Sequence, residues 1–580
     1  MLNFKAITLE DKNIYENYLF DDKERGCEFS FANVYTWGQQ KIALLHGHLV
    51  LLANFYGRTC YPYPMGQGNK QPVLDAILAD AKKRGIPCCI TGLDEKDKQT
   101  MEELYPEKFC FEYDKNSFDY VYAIDDLADL KGRKYHRKRN HFKRFQTTFP
   151  NYRVKPLTEE NLPLAEQFSQ SWYKHRLLEH PEDDYNLERA ALHTALRDYK
   201  DLNMEGILLL HGEEVLAITL GSRISSDTFD VHFEKARTDI EGAYPAINCE
   251  FASYIRDKYP EIKYLNREED MGIPGLRRAK ESYFPHHQIE KYRAYSLEDL
   301  RIDEASEAQF PALKDLWQTT FGDTDEFLNA FYSTAFSPER CRCVTIGKKI
   351  AASLYWFHCE YENKRIAYIY AVATAEAFRG QGFARRLLQN THSHLISLSY
   401  DGAVLVPNGQ KLFEFYEKFG YQTCSYVKEF TAEPVTTLNV TENTQKDSLS
   451  DEENDEFSLR QITKEDYATL RRQFLPKHSV IQENENLDFL ETQAKFYAGE
   501  DFVMAACTEE SVPIEDVSHE KILHCAELLG NASHAPEILS ALGCTKGRFR
   551  TPGDETAFAM YRSLTDNEVL PPKYFGLAFD

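Results

Sequence analysis

Long hydrophobic runs are absent from this sequence of 580 residues. No apolar stretch approaches the roughly 18 residues that a membrane-spanning helix needs, so no transmembrane segment is predicted. The residues that follow Met1 lead directly into polar sequence, which argues against a signal peptide. The thirteen cysteines are scattered without a matched pair of Cys-x-x-Cys motifs, so no metal site is predicted. Together these absences favour a cytoplasmic protein with reduced thiols.

Positive charge is also in short supply. Lysine and arginine number 68 against 92 aspartates and glutamates, which gives a net charge of -24. Such a balance opposes a general nucleic-acid binder but allows a local basic site. Aromatic residues are plentiful at 13%. At about 100–200 residues per domain, the length fits roughly three to five domains with cores of ordinary size.

The most informative stretch begins with an apolar run, Ile366 to Val372, that is typical of a buried strand. A glycine loop, R-G-Q-G-F-A at 379–384, leads into an amphipathic helix. The first amides of a helix have no internal partner, and the helix dipole favours negative charge there. Glycines at 380 and 382 would let a phosphate approach the backbone, and Arg379 adds positive charge. The pattern predicts an anion site.

A glycine turn alone is weak support, since most such turns only reverse the chain. This loop lacks the lysine of a nucleotide P-loop and the third glycine of a dinucleotide site. Further features accompany it downstream. Ala403 to Val406 is typical of a second buried strand, and Asn408 follows it. A short amphipathic helix carries Tyr416 and stops at Gly420, as a C-cap glycine would.

This order resembles the Gcn5-related N-acetyltransferase (GNAT) superfamily, through V-A-T-x-x-x-x-R-G-Q-G-F-A and N-x-x-x-x-x-x-F-Y-E-K-F-G-Y. The resemblance implies an acetyl-CoA-dependent N-acetyltransferase. It assigns the cofactor's pyrophosphate to Arg379, Gly380, Gln381, Gly382, Phe383 and Ala384, and its pantetheine arm to Ala371, Val372 and Ala373. It also implies that Asn408 lies near the cofactor and that Tyr416 is the general acid.

The implied chemistry needs no covalent enzyme intermediate. A neutral amine attacks the thioester, backbone N–H groups stabilise the oxyanion, and a tyrosine protonates the leaving thiolate. Glu360, Tyr370 and His358 are candidates for the general base, and none is singled out. The acceptor is a small-molecule or peptide amine. A different class of function also fits: a CoA-binding sensor without turnover.

Residues 1–296 carry a second resemblance, through S-F-A-N-V-Y-T-W, H-F-E-K-A, G-A-Y-P-A-I-N and N-R-E-E-D-M-G-I-P-G-L-R-R-A-K-E-S-Y. They resemble an uncharacterised bacterial family similar to the C-terminal domain of phosphatidylglycerol lysyltransferases. The resemblance implies two GNAT-like halves, about 1–148 and 149–296, with a site between them. The candidates for that site are His232, Glu234, Lys235, Glu268, Asp270 and Lys280. The rival activity is aminoacyl or lysyl transfer from charged tRNA.

A basic block stands out in this acidic chain at residues 131–144. Aromatic residues fall on one face of the predicted helix, and the other faces carry Arg133, Lys134, Arg137 and Lys138. One interpretation is a solvated helix face, as most charge runs are. The other is an anion site for a tRNA backbone or an anionic lipid head group.

The predicted architecture is therefore an α/β protein with mixed sheets and several GNAT-like folds in tandem. A GNAT domain is expected at 297–433. Residues 434–456 are polar, acidic and poor in large apolar side chains, which is typical of a linker. Residues 457–580 alternate helix and strand patterns without an Arg-x-x-Gly-x-Ala loop, and we expect a degenerate GNAT-like domain there.

Overall fold

A computed structural model describes residues 2–19, 24–55, 58–435, 457–510, 520–565 and 570–579. The chain divides into two compact units, Met1–Leu300 and Arg301–Asp580. Most of the predicted acidic linker, residues 436–456, lies outside the described residues. In the described part of the chain, no helix is both long enough and apolar enough to cross a bilayer.

The first unit alternates strands with helices along the chain. Its helices are α1 Lys12–Leu19, α2 Phe31–Thr36, α3 Gln71–Arg84, α4 Glu95–Leu104, α5 Ile124–Asp129, α6 His136–Thr148, α7 Leu162–Glu179, α8 Asn186–Arg197, α9 Ala243–Lys258 and α10 Pro274–Glu281. Its strands are β1 Lys5–Ala6, β2 Gln40–Leu45, β3 His48–Phe55, β4 Arg58–Pro62, β5 Cys89–Leu93, β6 Phe109–Tyr113, β7 Asp119–Ala123, β8 Arg153–Pro156, β9 Glu205–His211, β10 Glu214–Arg223, β11 Thr228–Ala236, β12 Tyr264–Asn266, β13 His287–Ile289 and β14 Tyr292–Ser296.

Two mixed sheets of the first unit share one plan. Their strand orders are β1-β2-β3-β4-β5-β14-β6 and β8-β9-β10-β11-β12-β7-β13. Each sheet contains one parallel pair, β4 with β5 and β11 with β12. Each also receives one strand from the other half of the unit, β14 in the first sheet and β7 in the second. The sheets therefore do not divide at residue 148.

The second unit also alternates strands with helices along the chain. Its helices are α11 Phe310–Phe321, α12 Asp325–Thr334, α13 Phe383–Ser397, α14 Gln410–Glu417, α15 Lys464–Phe474, α16 Glu485–Gln493 and α17 Ala535–Leu542. Its strands are β15 Arg301–Glu304, β16 Cys341–Ile346, β17 Lys349–Tyr361, β18 Lys364–Thr374, β19 Gly402–Leu405, β20 Gln422–Ala432, β21 Arg460–Ile462, β22 Lys495–Ala498, β23 Phe502–Glu510, β24 Lys521–Gly530, β25 Lys546–Pro552 and β26 Thr556–Ser563.

These strands form one 12-stranded sheet among the described residues, in the order β15-β16-β17-β18-β19-β26-β20-β25-β24-β23-β22-β21. Read from its two edges, the sheet is a repeat: β15 to β20 correspond to β21 to β26. The parallel pair β18–β19 corresponds to the parallel pair β24–β25. The last strand of each repeat pairs inside the other repeat, because β26 lies between β19 and β20. The prediction of a mixed α/β fold with tandem GNAT-like parts is confirmed.

A buried ion pair ties the second repeat together. Nε and Nη2 of Arg471, on α15, donate to the two carboxylate oxygens of Glu527 on β24, at 2.6 and 2.9 Å. The hydroxyls of Tyr467 and Tyr574 donate to the same carboxylate. The charged pair is almost fully enclosed. Such a pair stabilises a fold little more than apolar packing would. Removing one partner, however, leaves a buried charge without a counter-ion and is strongly destabilising.

We expect Arg471→Met to destabilise the second unit by about 3–5 kcal/mol, because Glu527 would stay buried without its cation. The double variant Arg471→Met, Glu527→Leu should lose less stability than the single one. Hydrogen exchange of the β24 amides measures both effects within this unit. Unchanged protection in Arg471→Met would contradict this account of the ion pair.

Candidate functional site

The parallel strands β18 and β19 stay together over a short distance only. They pair from Ile366 opposite Gly402 to Tyr368 opposite Val404. Beyond Tyr368, β18 continues for six more residues to Thr374 without a partner in β19. Because the carboxyl ends of parallel strands face the same edge of a sheet, a cleft opens there between the two strands.

An irregularity in β18 coincides with this divergence. Along β17, Ser353 pairs with Ala373 whereas Tyr355 pairs with Tyr370, so two residues of β18 oppose one of β17. One of the two, Ala371, has φ = 47°, which is a strained backbone for alanine. A β-bulge of this kind turns backbone groups away from the ladder. Ala371 and Val372 are half-buried and Ala373 is buried.

The glycine loop predicted at 379–384 stands at the mouth of the cleft, directly before α13. Gly380 and Gly382 have φ of +79° and +77°, and a Cβ on either would meet no atom within 4 Å. Gly382 is the N-cap residue of α13 and supplies no side-chain cap. The space beside the N-terminus of α13 is therefore open at both glycines and no side-chain cap is present, as an anion site requires.

Two contacts fix the shape of this loop. The rings of Phe378 and Phe383, both buried, meet edge to face with centroids 5.6 Å apart. The exposed Arg379 side chain donates from Nε to the carbonyl of Thr374 at 3.2 Å. The aromatic pair anchors the loop from beneath, while the arginine closes it against the end of β18.

The elements after β19 bring the other predicted residues to the same edge of the sheet. Asn408 is exposed in the turn that follows β19. Tyr416 lies on α14, and burial raises the pKa of its hydroxyl. No hydrogen bond from that hydroxyl is found among the described residues. A tyrosine in this state keeps its proton at neutral pH and has no partner to lose before donating it.

A buried histidine joins α13 to the strands beside it. His392 Nε2 lies 2.8 Å from the hydroxyl of Tyr421, and its Nδ1 lies 3.1 Å from Arg562 on β26. Burial, reinforced by the Arg562 guanidinium, lowers the pKa of His392 to about 3. The ring is therefore neutral at physiological pH, and α13 is held against the exchanged strand.

The three base candidates occupy different surroundings. Tyr370, next to the bulge, donates its hydroxyl to the carbonyl of Phe579 at 2.6 Å. Burial lowers the pKa of His358, and its backbone N–H donates to Glu485 at 2.8 Å. Glu360 is exposed near the far end of β17. Of the three, Tyr370 lies nearest in sequence to the cleft-forming segment, and the identity of the base stays a prediction.

Four of the first-unit candidates are held by separate contacts. Asp270 is fully buried and accepts from Tyr120, from the backbone of Gly272 and from Nε and Nη2 of Arg277, so it holds a turn. Glu234 pairs with Arg267 at 2.9 Å. Lys235 reaches Glu188 at 2.5 Å, and its amine lies 4.4 Å from the ring centroid of Trp172. Lys280 Nζ donates to three successive carbonyls, those of Arg267, Glu268 and Glu269.

The basic block forms the short turn before α6 and the first part of α6. Arg133 and Arg137 are exposed. Lys134 pairs with Asp126 at 3.1 Å, and the amine of Lys138 lies 3.8 Å from the ring centroid of Tyr283. Burial and the nearby Arg267 charge lower the pKa of Lys138 to about 8. Both interpretations of the block remain compatible with these contacts.

Sequence patterns did not reveal a buried charged cluster in the first unit. Lys291 Nζ lies 2.6 Å from both Asp119 Oδ1 and Glu28 Oε2. The backbone N–H of Cys27 donates to the same aspartate. These residues come from distant parts of the chain, and single charged residues at strand ends carry no local signal of such a contact.

Two family models match parts of the chain. Residues 22–295 match the family model described as phosphatidylglycerol lysyltransferase, C-terminal, and residues 301–424 match the acetyltransferase (GNAT) domain model. A search of curated proteins finds no match.

Three solved structures are similar to parts of the chain. One is a conserved protein of unknown function from Bacteroides thetaiotaomicron, 36% identical, covering 51% of this chain and 100% of its own, with a TM-score of 0.48. Another is L-PGS from Bacillus licheniformis, 15% identical, with coverages of 49% and 92% and a TM-score of 0.38. A GCN5-related N-acetyltransferase from Anabaena variabilis is 16% identical, with coverages of 46% and 73% and a TM-score of 0.35.

The two family matches define an acyltransferase-type protein. Residues 22–295 are thus similar to the phosphatidylglycerol lysyltransferase C-terminal family, and residues 301–424 are similar to the GNAT acetyltransferases. Both resemblances that the sequence motifs indicate are thus confirmed.

The free energy of unfolding should fall below neutral pH because His392 is buried in its neutral form. The folded pKa of His392, about 3, lies below its ordinary value of 6.5, so its stabilisation is complete above pH 6.5 and is lost as pH falls toward 3. When the pH falls from 7 to 5, we expect the free energy of unfolding of His392→Gln to drop by about 2 kcal/mol less than that of the parent, as measured by urea unfolding. His478→Gln, at an exposed histidine, is the control. Equal losses in the parent and His392→Gln would contradict the assignment.

The open glycine loop predicts CoA binding in a thermal-shift measurement. A ligand at a hundredfold excess over its Kd stabilises the folded state by about 2.7 kcal/mol. Gly382→Ala should weaken CoA about tenfold, because the residue has a positive φ and its Cβ would enter the open space. Gly543→Ala, also at positive φ in open space, is the matched control for backbone strain. Equal weakening in both variants would show that the loop does not hold CoA.

Proposed function

We propose that the second unit is an acetyl-CoA-dependent N-acetyltransferase that moves an acetyl group to an amine by direct attack. The observation that carries the proposal is the open helix N-terminus at 379–384, placed where β18 and β19 diverge. The GNAT family match over residues 301–424 supports an acyl-CoA donor in general. Acetyl-CoA is the donor that we propose.

Donor binding rests on the backbone. Amides of Gln381 to Ala384 would hold the diphosphate, with Gly380 and Gly382 leaving room for it. Arg379 adds a positive charge at the surface. The unpaired edge of β18, from Ala371 to Ala373, would donate to and accept from the amide groups of the pantetheine arm, as an added strand does.

Acetyl-CoA supplies an activated thioester, and the chain supplies groups that stabilise charge. As the amine attacks, negative charge develops on the carbonyl oxygen, and a backbone N–H released by the bulge near Ala371 can stabilise it. Tyr416 then protonates the leaving sulfur. Its raised pKa keeps it protonated beforehand, and its hydroxyl has no protein partner to exchange among the described residues.

The acceptor is, in this proposal, a small-molecule or peptide amine in a cytoplasmic setting. Thirteen cysteines without a disulfide support that setting. Rings of Trp317, Phe331 and Tyr355 cluster with Tyr370 beside the bulge. Trp317, Phe331 and Tyr355 are buried core residues, and Tyr370, at the partly exposed edge of this cluster, is the first base candidate to test.

We expect Tyr416→Phe to lower kcat by about 10²–10⁴-fold while CoA binding and stability stay close to the parent, because only the proton donor is removed. Thiol release in the presence of an amine panel measures the rate. Tyr400→Phe, at another buried tyrosine of the same unit, is the control and should retain parental turnover.

Equal rates in Tyr416→Phe and the parent would overturn the assignment of the acid. CoA binding with no thiol release from any amine would favour a sensor over an enzyme. The two outcomes are distinguishable because the first retains turnover and the second shows none.

A second activity is supported for the first unit by its lysyltransferase-type family match. We propose aminoacyl transfer from charged tRNA, with the basic block at 131–144 as the contact for tRNA or an anionic head group. The lowered pKa of Lys138, beside Arg267 and Glu234, marks the part of that block nearest the predicted site. Transfer of a radiolabelled lysyl group from lysyl-tRNA, lost on Lys138→Ala, tests it, and Lys200→Ala, at an exposed lysine outside the block, is the control. Parental transfer in Lys138→Ala would rule out that contact.

A further inference from the structure

Three potential metal ligands converge in the first unit. Asp230 and His232 lie on β11, and Glu268 follows β12. His232 Nδ1 is 3.2 Å from Glu268 Oε1 and 3.5 Å from Asp230 Oδ2. The three ligand atoms all lie within 4.8 Å of one another. Ligands about 2.0–2.1 Å from a tetrahedral metal are separated by about 3.3 Å, so the spacing fits one shared ion.

The buried aspartate is the feature that points to a ligand. Asp230 is 0% exposed, and neither of its carboxylate oxygens has a hydrogen-bond partner among the described residues. Buried carboxylates in proteins are almost always paired, hydrogen-bonded or bound to a metal. Here the carboxylate faces the imidazole and the second carboxylate of the same cluster.

A neighbouring cluster shows what a satisfied site looks like in this protein. Cys27, Glu28 and Asp119 also converge, but the amine of Lys291 lies between the two carboxylates, 2.6 Å from each. No lysine or arginine reaches Asp230 in that way among the described residues.

Neighbouring groups orient the ligands as a metal site requires. Ser222 Oγ lies 2.8 Å from His232 Nε2, so an N–H at Nε2 leaves the Nδ1 lone pair facing the carboxylates. Asn33 donates to Glu268 Oε1 at 2.8 Å. Glu268 has φ = 59°, a strained backbone for glutamate, and the bulge in β11 falls at His232. The Glu268 side chain is 22% exposed and offers a path from solvent.

From this geometry we propose that Asp230, His232 and Glu268 bind one divalent transition-metal ion, with at least one coordination position left for water or a substrate oxygen. The imidazole nitrogen favours Zn²⁺ or Mn²⁺ over Mg²⁺ and Ca²⁺, which prefer oxygen ligands alone. The sequence carries part of the signal, since Asp230 and His232 are two apart and share one face of a strand. The prediction of no metal site is based on the cysteine pattern, and a site built from aspartate, histidine and glutamate leaves no signal in that pattern. The site is independent of the acetyl-transfer proposal.

The test uses the full-length, untagged protein, stripped with a chelator and then titrated with ZnCl₂, MnCl₂ or MgCl₂. We expect one equivalent of Zn²⁺ or Mn²⁺ per chain by elemental analysis, a rise in Tm on addition, and no response to Mg²⁺. His232→Ala and Glu268→Gln should each weaken binding at least tenfold. Glu28→Gln, in the lysine-filled cluster, is the matched control and should bind as the parent does.

Asp230→Asn separates a metal ligand from a protonated buried acid. If the ion is present, the parent loses Tm on chelation while Asp230→Asn does not respond. A parent with no bound metal and a Tm unaffected by chelator would overturn the proposal. Full metal binding in His232→Ala would overturn it as well, because the ion would then sit elsewhere, for example at the exposed pair His286 and His287.

Discussion

The second unit depends on one constraint: β18 and β19 are parallel, yet they can pair over three residues only. The bulge at Ala371 bends β18 out of the ladder, and β26 fills the far side of β19. Beyond Tyr368, the edge of β18 has no partner in β19. In the proposed function, the amide groups of the donor would pair with that edge, and the uncapped N-terminus of α13 would favour the donor's negative charge.

The same bulge recurs in other copies of the fold, with different chemistry at each. Strands β11, β18 and β24 occupy equivalent places in their repeats, and each carries a register shift against the preceding strand. In β18 the bulge borders an open cleft. In β24 the bulge is followed by Glu527, whose carboxylate accepts hydrogen bonds from Arg471 and two tyrosines. In β11 it presents His232 to two carboxylates. One backbone device thus supports a cleft, a closed core and a candidate ion site.

Local pattern was enough for some features and not for others. The glycines at 380 and 382 and the apolar periodicity of α13 predict a strand, loop and helix, because those signals depend on neighbours in sequence. The exchange of β14 and β26 between repeats has no local signature, because the partners of each strand lie far away in the sequence. The same limit hid the contact of Asn33 with Glu268, 235 residues apart, and with it the buried cluster. Roles for Tyr416 and the glycine loop came from motif resemblance and stay proposals.

A crystal structure of the protein with CoA tests the central claim most directly. The account predicts the diphosphate within hydrogen-bond distance of the amides of Gln381 to Ala384 and the pantetheine arm along β18 between Ala371 and Ala373. Its sulfur should then point toward Tyr416. CoA bound at any other surface, with the gap between β18 and β19 filled by protein side chains, would contradict it.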